Sequence, residues 1–222
     1  MAALVRVWDA PTRLFHWALA LCVVGLVVTS QMGGAAMDWH FRFGYGVLTL
    51  LLFRLVWGLL GGHWSRFSTF VAGPRMIWRY LQGQGTPQDG VGHNPLGGLS
   101  ILVMLFFLAM QVASGLMSDD EIAAAGPLTR FASSDWVSNA TYYHKDIGKY
   151  ILLGLVALHL GAIAFYYFRK HDNLVKPMIT GDKSVPFDAP SARDGWTERG
   201  RAGLIFLACA ALVGSVVTGL NG

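Results

Sequence analysis

Histidine is the residue type whose placement in this chain could do chemistry. There are seven among 222 residues, in a sequence that is 54% hydrophobic and only 14% charged. Four of them, His16, His40, His144 and His159, lie within or at the ends of long apolar stretches. An ionisable side chain is costly in such surroundings, which makes it a functional-site candidate by default, and imidazole is the commonest nitrogen ligand for metals. His144 and His159 are fifteen residues apart. On a helix that is a rise of roughly 22 Å. At about 100° per residue the two side chains end about 60° apart, on one side of the helix. Gly148, Ile151 and Leu155 lie between them on that side, and Gly148 leaves room for a flat ring system beside His144.

The elements that must position these residues are membrane helices. Five nearly charge-free blocks run over residues 15–30, 45–60, 96–117, 147–168 and 202–220. A span needs roughly 20 apolar residues, so five spans are expected, the last the shortest. The first is read as a retained helix, because no small-residue cleavage site follows its apolar run. Arg6 and Arg13 precede the first span, Arg66, Arg75 and Arg79 lie between the second and third, and seven Lys and Arg residues lie from Arg169 to Arg201. The positive-inside rule then sets the N-terminus in the cytoplasm and the C-terminus outside. The net charge of +4 is topogenic on this reading, and nucleic-acid binding is not expected.

With that topology, His16 on the first helix and His159 on the fourth share the cytoplasmic depth, and His40 and His144 share the outer one. Two depth-matched pairs are what two transmembrane hemes would need, each iron held by two imidazoles. No Cys-x-x-Cys-His occurs, and Cys22 and Cys209 both fall in apolar spans as packing residues. A zinc site would need three or four convergent ligands, and no close pair such as His-x3-His is present. Arg54 follows His40 by fourteen residues, on the same face and roughly 21 Å lower. A heme propionate is a suitable partner for it, the alternative being that it snorkels to the inner interface. His93, in Gly92-His93-Asn94-Pro95, could hydrogen-bond a propionate or a quinone, or cap the third helix. His63 and His171 read as solvated, and the tryptophans near helix ends as an interfacial belt.

The fold expected is an all-α integral membrane protein: a four-helix transmembrane bundle holding two hemes, plus a fifth transmembrane helix. It forms one membrane domain, with the heme-binding bundle over about 10–172, a polar cytoplasmic connection over 173–201 and the fifth helix over 202–220. Asp9-Ala10-Pro11 reads as a cap on the first helix. Pro74 opens a short amphipathic stretch through Leu81 suited to the cytoplasmic interface. Ser133 or Ser134 with Asp135 caps the fourth helix about two turns outside the bilayer.

Arg13-Leu14-Phe15-His16-Trp17, Gly44-Tyr45, Phe53-Arg54-Leu55-Val56-Trp57-Gly58, Gly92-His93-Asn94-Pro95-Leu96-Gly97-Gly98, and His144 with His159 resemble the bacterial cytochrome b561 family. That family includes the b-type subunits of membrane-bound nickel–iron hydrogenases. The resemblance covers about residues 5 to 180. It implies two non-covalent b hemes, the inner on His16 and His159 and the outer on His40 and His144, with Gly44 near the cofactor, and electron exchange with the quinone pool.

The function expected is electron transfer across a bacterial inner membrane between quinone and a periplasmic redox partner such as a cytochrome c. Bis-His iron has no open position, which favours outer-sphere transfer. Asp38, Asp119, Asp120, Glu121 and Asp135 offer a dock for a basic partner, or are ordinary solvated residues. One rival is superoxide oxidation coupled to quinone reduction, for which Arg42, Lys145 and Lys149 would supply a positive funnel at the outer site. The other is a non-redox, histidine-bearing transporter or assembly factor. Membrane lipid, quinone, a periplasmic redox protein and a second copy of the chain are the partners this reading allows.

Overall fold

The computed structural model describes residues 3–122 and 124–221. Among these, five helices are long and apolar enough to cross a membrane, spanning Ala10–Met32, Gly34–Leu60, Pro87–Leu116, Ser134–Arg169 and Trp196–Leu220. Their large apolar side chains are widely exposed, Leu21 at 71% and Leu158 at 67% among them. Such surfaces suit a hydrocarbon solvent, and the chain is a multi-pass membrane protein.

The helices begin and end where local chemistry directs. Helix α1 (Ala10–Met32) starts after Asp9, whose Oδ1 accepts the Thr12 N–H at 2.8 Å. Helix α2 (Met37–Leu60) stops at Gly61-Gly62. After the single turn α3 (Phe67–Phe70), Pro74 opens the amphipathic α4 (Pro74–Leu81). Trp78 and both arginines of α4 are exposed, while Tyr80 turns inward. Helix α5 (Pro95–Leu116) is capped by Asn94, whose Oδ1 accepts the Gly97 N–H. The fourth long helix starts at α6 (Ser134–Tyr142), widens into a π-helical segment at Tyr143–Gly148 and continues as α7 (Lys149–Arg169). Helix α9 (Trp196–Asn221) follows the short α8 (Val175–Thr180) and begins earlier than the apolar pattern predicts, because its first turns are polar.

The chain forms two compact units. The first joins residues 1–16, 54–103 and 157–205. Here the segment 173–201, expected to be a plain connection, carries structure that hydropathy did not forecast. Strand β1 (Ala3–Arg6) pairs antiparallel with β2 (Asp182–Val185), Val5 opposite Lys183. Four-residue strands are too short to show a period-2 pattern, and their partners lie far apart in sequence. Val5, Val7, Trp8, Val91 and Val185 form a small core beneath the sheet. Asp194, its side chain 4% exposed, gathers the neighbouring cations: Arg6 Nη1 at 2.7 Å, Arg199 Nε at 3.0 Å and Arg13 Nη2 at 3.6 Å. Burial alone would raise its carboxyl, but hydrogen bonds from Arg199, the Ala10 N–H and Arg6 prevail and hold it at about 2.

The second unit joins residues 17–53, 104–156 and 206–222. Val47, Leu51 and Leu108 are its buried centre, with Leu19, Cys22, Leu105 and Leu152 packed around them. Phe206 of α9 meets Phe53 of α2 edge to face, centroids 6.2 Å apart.

Candidate metal centres

Within the first unit, α1 and α7 present His16 and His159 to each other with ring centroids 6.4 Å apart. His93 lies half-buried close by, its ring between Trp8 (4.4 Å) and Phe70 (4.8 Å), and its buried Nδ1 has no hydrogen-bond partner among the described residues. Arg54 is 3% exposed. Its Nη1 donates to the Ser65 carbonyl at 3.0 Å, and its guanidinium sits over the Phe67 and Phe70 rings at 4.7 and 5.8 Å. Asp9, Thr12, Trp57 and Ser65 form a buried polar network beside it.

Within the second unit, His40 of α2 and His144 of the π segment face each other with centroids 6.2 Å apart. Both rings are oriented by backbone carbonyls. His40 Nδ1 donates to Leu26 O at 3.1 Å and lies 3.3 Å from Thr29 Oγ1. His144 Nδ1 donates to Gln111 O at 2.9 Å and lies 3.3 Å from Ser114 Oγ. A carbonyl can only accept, so each Nδ1 carries the proton and each Nε2 keeps its lone pair for a ligand.

These distances test the fit of an iron between the rings. With imidazole–metal bonds of about 2 Å, two rings on opposite sides of one metal have centroids roughly 6.3 Å apart. Both pairs fall at that separation. Among the described residues no group of three or more His, Cys, Asp or Glu side chains converges on one point. A two-imidazole site therefore suits a metal whose remaining ligands come from a macrocycle, as in heme.

The other residues singled out by sequence take varied places. Gly44, one turn along α2 from His40, borders open space, since an added Cβ would touch nothing within 4 Å. Gly148 is buried, but Gln111 Oε1 and Tyr143 press against it, so its lack of a side chain admits α5 rather than a ring system. Lys149 places its Nζ 4.7 Å above the Tyr150 ring. Sequence reading missed Gly115, where an added Cβ would lie 2.7 Å from His144 Cε1. It also missed the π segment, which resets the helical phase by about one residue relative to a purely α-helical count. Between α5 and α7, Asp119, Glu121, Arg130 and, from the π segment, Asp146 line an open cleft of about 620 Å³.

Residues 7–181 match the family model described as prokaryotic cytochrome b561. The chain is 29% identical to a probable Ni/Fe-hydrogenase B-type cytochrome subunit of Azotobacter vinelandii, over 84% of this chain and 91% of that protein. It is 22% identical to the probable Ni/Fe-hydrogenase 1 B-type cytochrome subunit of Escherichia coli K12, over 85% and 94%. It is 25% identical to the corresponding subunit of Cupriavidus necator, over 79% and 85%. No solved structure matches. With four of its five long helices inside the matched region and two imidazole pairs spaced for bis-His iron, the chain belongs to the prokaryotic cytochrome b561 family, the b-type cytochromes of membrane electron transport.

Proposed function

We propose that this protein is a di-heme b-type cytochrome that carries electrons across the bacterial inner membrane between quinone and a redox partner on the periplasmic side. The single observation that carries the reading is the spacing of the two pairs, 6.4 Å for His16–His159 and 6.2 Å for His40–His144. His16 and His159 hold the cytoplasmic heme, and His40 and His144 hold the outer one. Hemes so bound supply reversible one-electron transfer at an iron with no open coordination position.

The chain's own residues do the rest. The Leu26 and Gln111 carbonyls fix the tautomers of His40 and His144 and raise their basicity as ligands. Arg54 keeps donors beyond the one given to Ser65 and offers them to a propionate. His93, whose buried Nδ1 has no partner among the described residues, is the donor or acceptor for a propionate or a quinone near the cytoplasmic pair. Gly44 provides clearance beside His40, and Lys149 adds positive charge beside the outer pair. The relatives are named as hydrogenase cytochrome subunits, which supports a periplasmic redox subunit as the partner here. The acid-lined outer cleft is where such a partner docks.

A pyridine hemochrome assay with a protein determination on detergent-purified material tests this reading. Two b hemes per chain are expected. One or none means that the histidine pairs do not both hold iron, and the reading fails.

A further inference from the structure

Asp9 has no solvent exposure, and neither has Ser65. The carboxylate accepts hydrogen bonds from the Thr12 N–H at 2.8 Å, from Ser65 Oγ at 2.8 Å and from Trp57 Nε1 at 3.3 to 3.4 Å. An N-cap needs only one neutral acceptor, and Ser or Asn would serve as well. A fully buried charge is costly unless an opposite charge compensates it. The opposite charge is Arg54. Ser65 ties the two together, its hydroxyl donating to Asp9 while its carbonyl accepts from Arg54 at 3.0 Å. Asp9 attracts Arg54 electrostatically, whereas Arg54, His16 and His159 each lie close enough to His93 to repel a positive charge on it. Through the Phe70 ring and His93, the Asp9–Ser65–Arg54 chain reaches the surroundings of the first histidine pair.

We propose that Asp9 is a positioning residue for the cytoplasmic heme: through Ser65 it holds and offsets the Arg54 charge beside His16 and His159, and so keeps the reduction potential at that site low. This rests on the two-pair reading above. The sign follows from Coulomb's law. A cation near the iron favours the ferrous state, which carries one positive charge less, and a compensating carboxylate cancels that preference. Removing the negative charge uncovers Arg54 and raises the potential of this pair alone.

The test is potentiometric titration of the full-length protein, purified with its hemes, followed at the visible heme bands. Heme content is measured first. Fewer than two hemes in the unaltered protein removes the underlying reading and this inference with it. With two present, the cytoplasmic couple is assigned in a His40→Ala background. Asp9→Asn keeps an acceptor for the helix cap and is expected to raise the cytoplasmic potential by about 59 mV, a tenfold change in a one-electron equilibrium. The outer potential should stay in place, and Asp9→Glu should restore the cytoplasmic one. An unmoved cytoplasmic potential, or equal shifts in both, overturns the proposal and leaves Asp9 as a structural cap. If Asp9→Asn does not retain both hemes, Ser65→Ala carries the test. It cuts the link but keeps both charges and the carbonyl, and a smaller rise confined to the cytoplasmic couple is expected. No shift, or equal shifts in both couples, overturns the proposal there too.

Discussion

At the scale of single residues, two imidazole pairs carry the proposed chemistry. If each pair holds its own iron, the losses are separable. His144→Ala or His40→Ala should reduce heme from two to one per chain, and the remaining titration step should be that of the other pair. His16→Ala or His159→Ala should remove the opposite step, and equal loss of both steps in all four variants would contradict the pairing. Gly115 gives a subtler test. An added Cβ lies 2.7 Å from His144 Cε1, so Gly115→Val displaces that ring although it alters no ligand. The outer heme should be lost or weakly bound while the cytoplasmic one persists, as read by hemochrome content and redox titration. The four histidines were legible because imidazoles in apolar helices are rare and their depths matched. Gly115, Gln111 and Ser114 were not, since a glycine or a backbone carbonyl that orients a histidine from another helix leaves no signature in its own segment.

At the scale of elements, the long helices follow from composition, and the departures lie where tertiary contacts override local pattern. Segment 143–148 has no sequence feature that demands a π turn. It forms where Gln111 reaches the chain, with Gln111 Nε2 donating to the His144 carbonyl at 2.9 Å. The β1–β2 pair and the Asp194 cluster fasten the start of α1 to the start of α9. This clasp has a defined acid limit. Asp194 titrates at about 2 when folded, against an ordinary 3.8. A carboxyl with a lowered folded value stabilises the protein fully above its unfolded value, and that contribution is lost as the pH falls through the folded one. Thermal unfolding of the detergent-solubilised protein should therefore steepen in its pH dependence from about pH 4 down to about 2. Asp194→Asn should lower the melting temperature at neutral pH and flatten that window, and an unchanged profile would show that the clasp adds no stability.

At the scale of the whole molecule, the distribution of Lys and Arg predicts a cytoplasmic N-terminus and a periplasmic C-terminus. A phosphatase reporter fused after residue 221 should be active, and the same reporter fused within residues 82–92 inactive. The reverse pattern would exchange the two faces and with them the identities of the inner and outer pairs. The sequence by itself determined that the chain crosses a membrane through five long apolar helices, and it singled out the four histidines proposed as ligands. Hydropathy, charge and helical spacing are local quantities, and a bilayer converts them directly into depth. Only the tertiary structure decided that His16 meets His159 and His40 meets His144 at a separation one iron can bridge. It alone also decided that Asp9, Ser65 and Arg54 join in one buried network and that residues 3–6 pair with 182–185. Those are contacts between segments distant along the chain, fixed by how helices and strands pack, and no single stretch of sequence contains them.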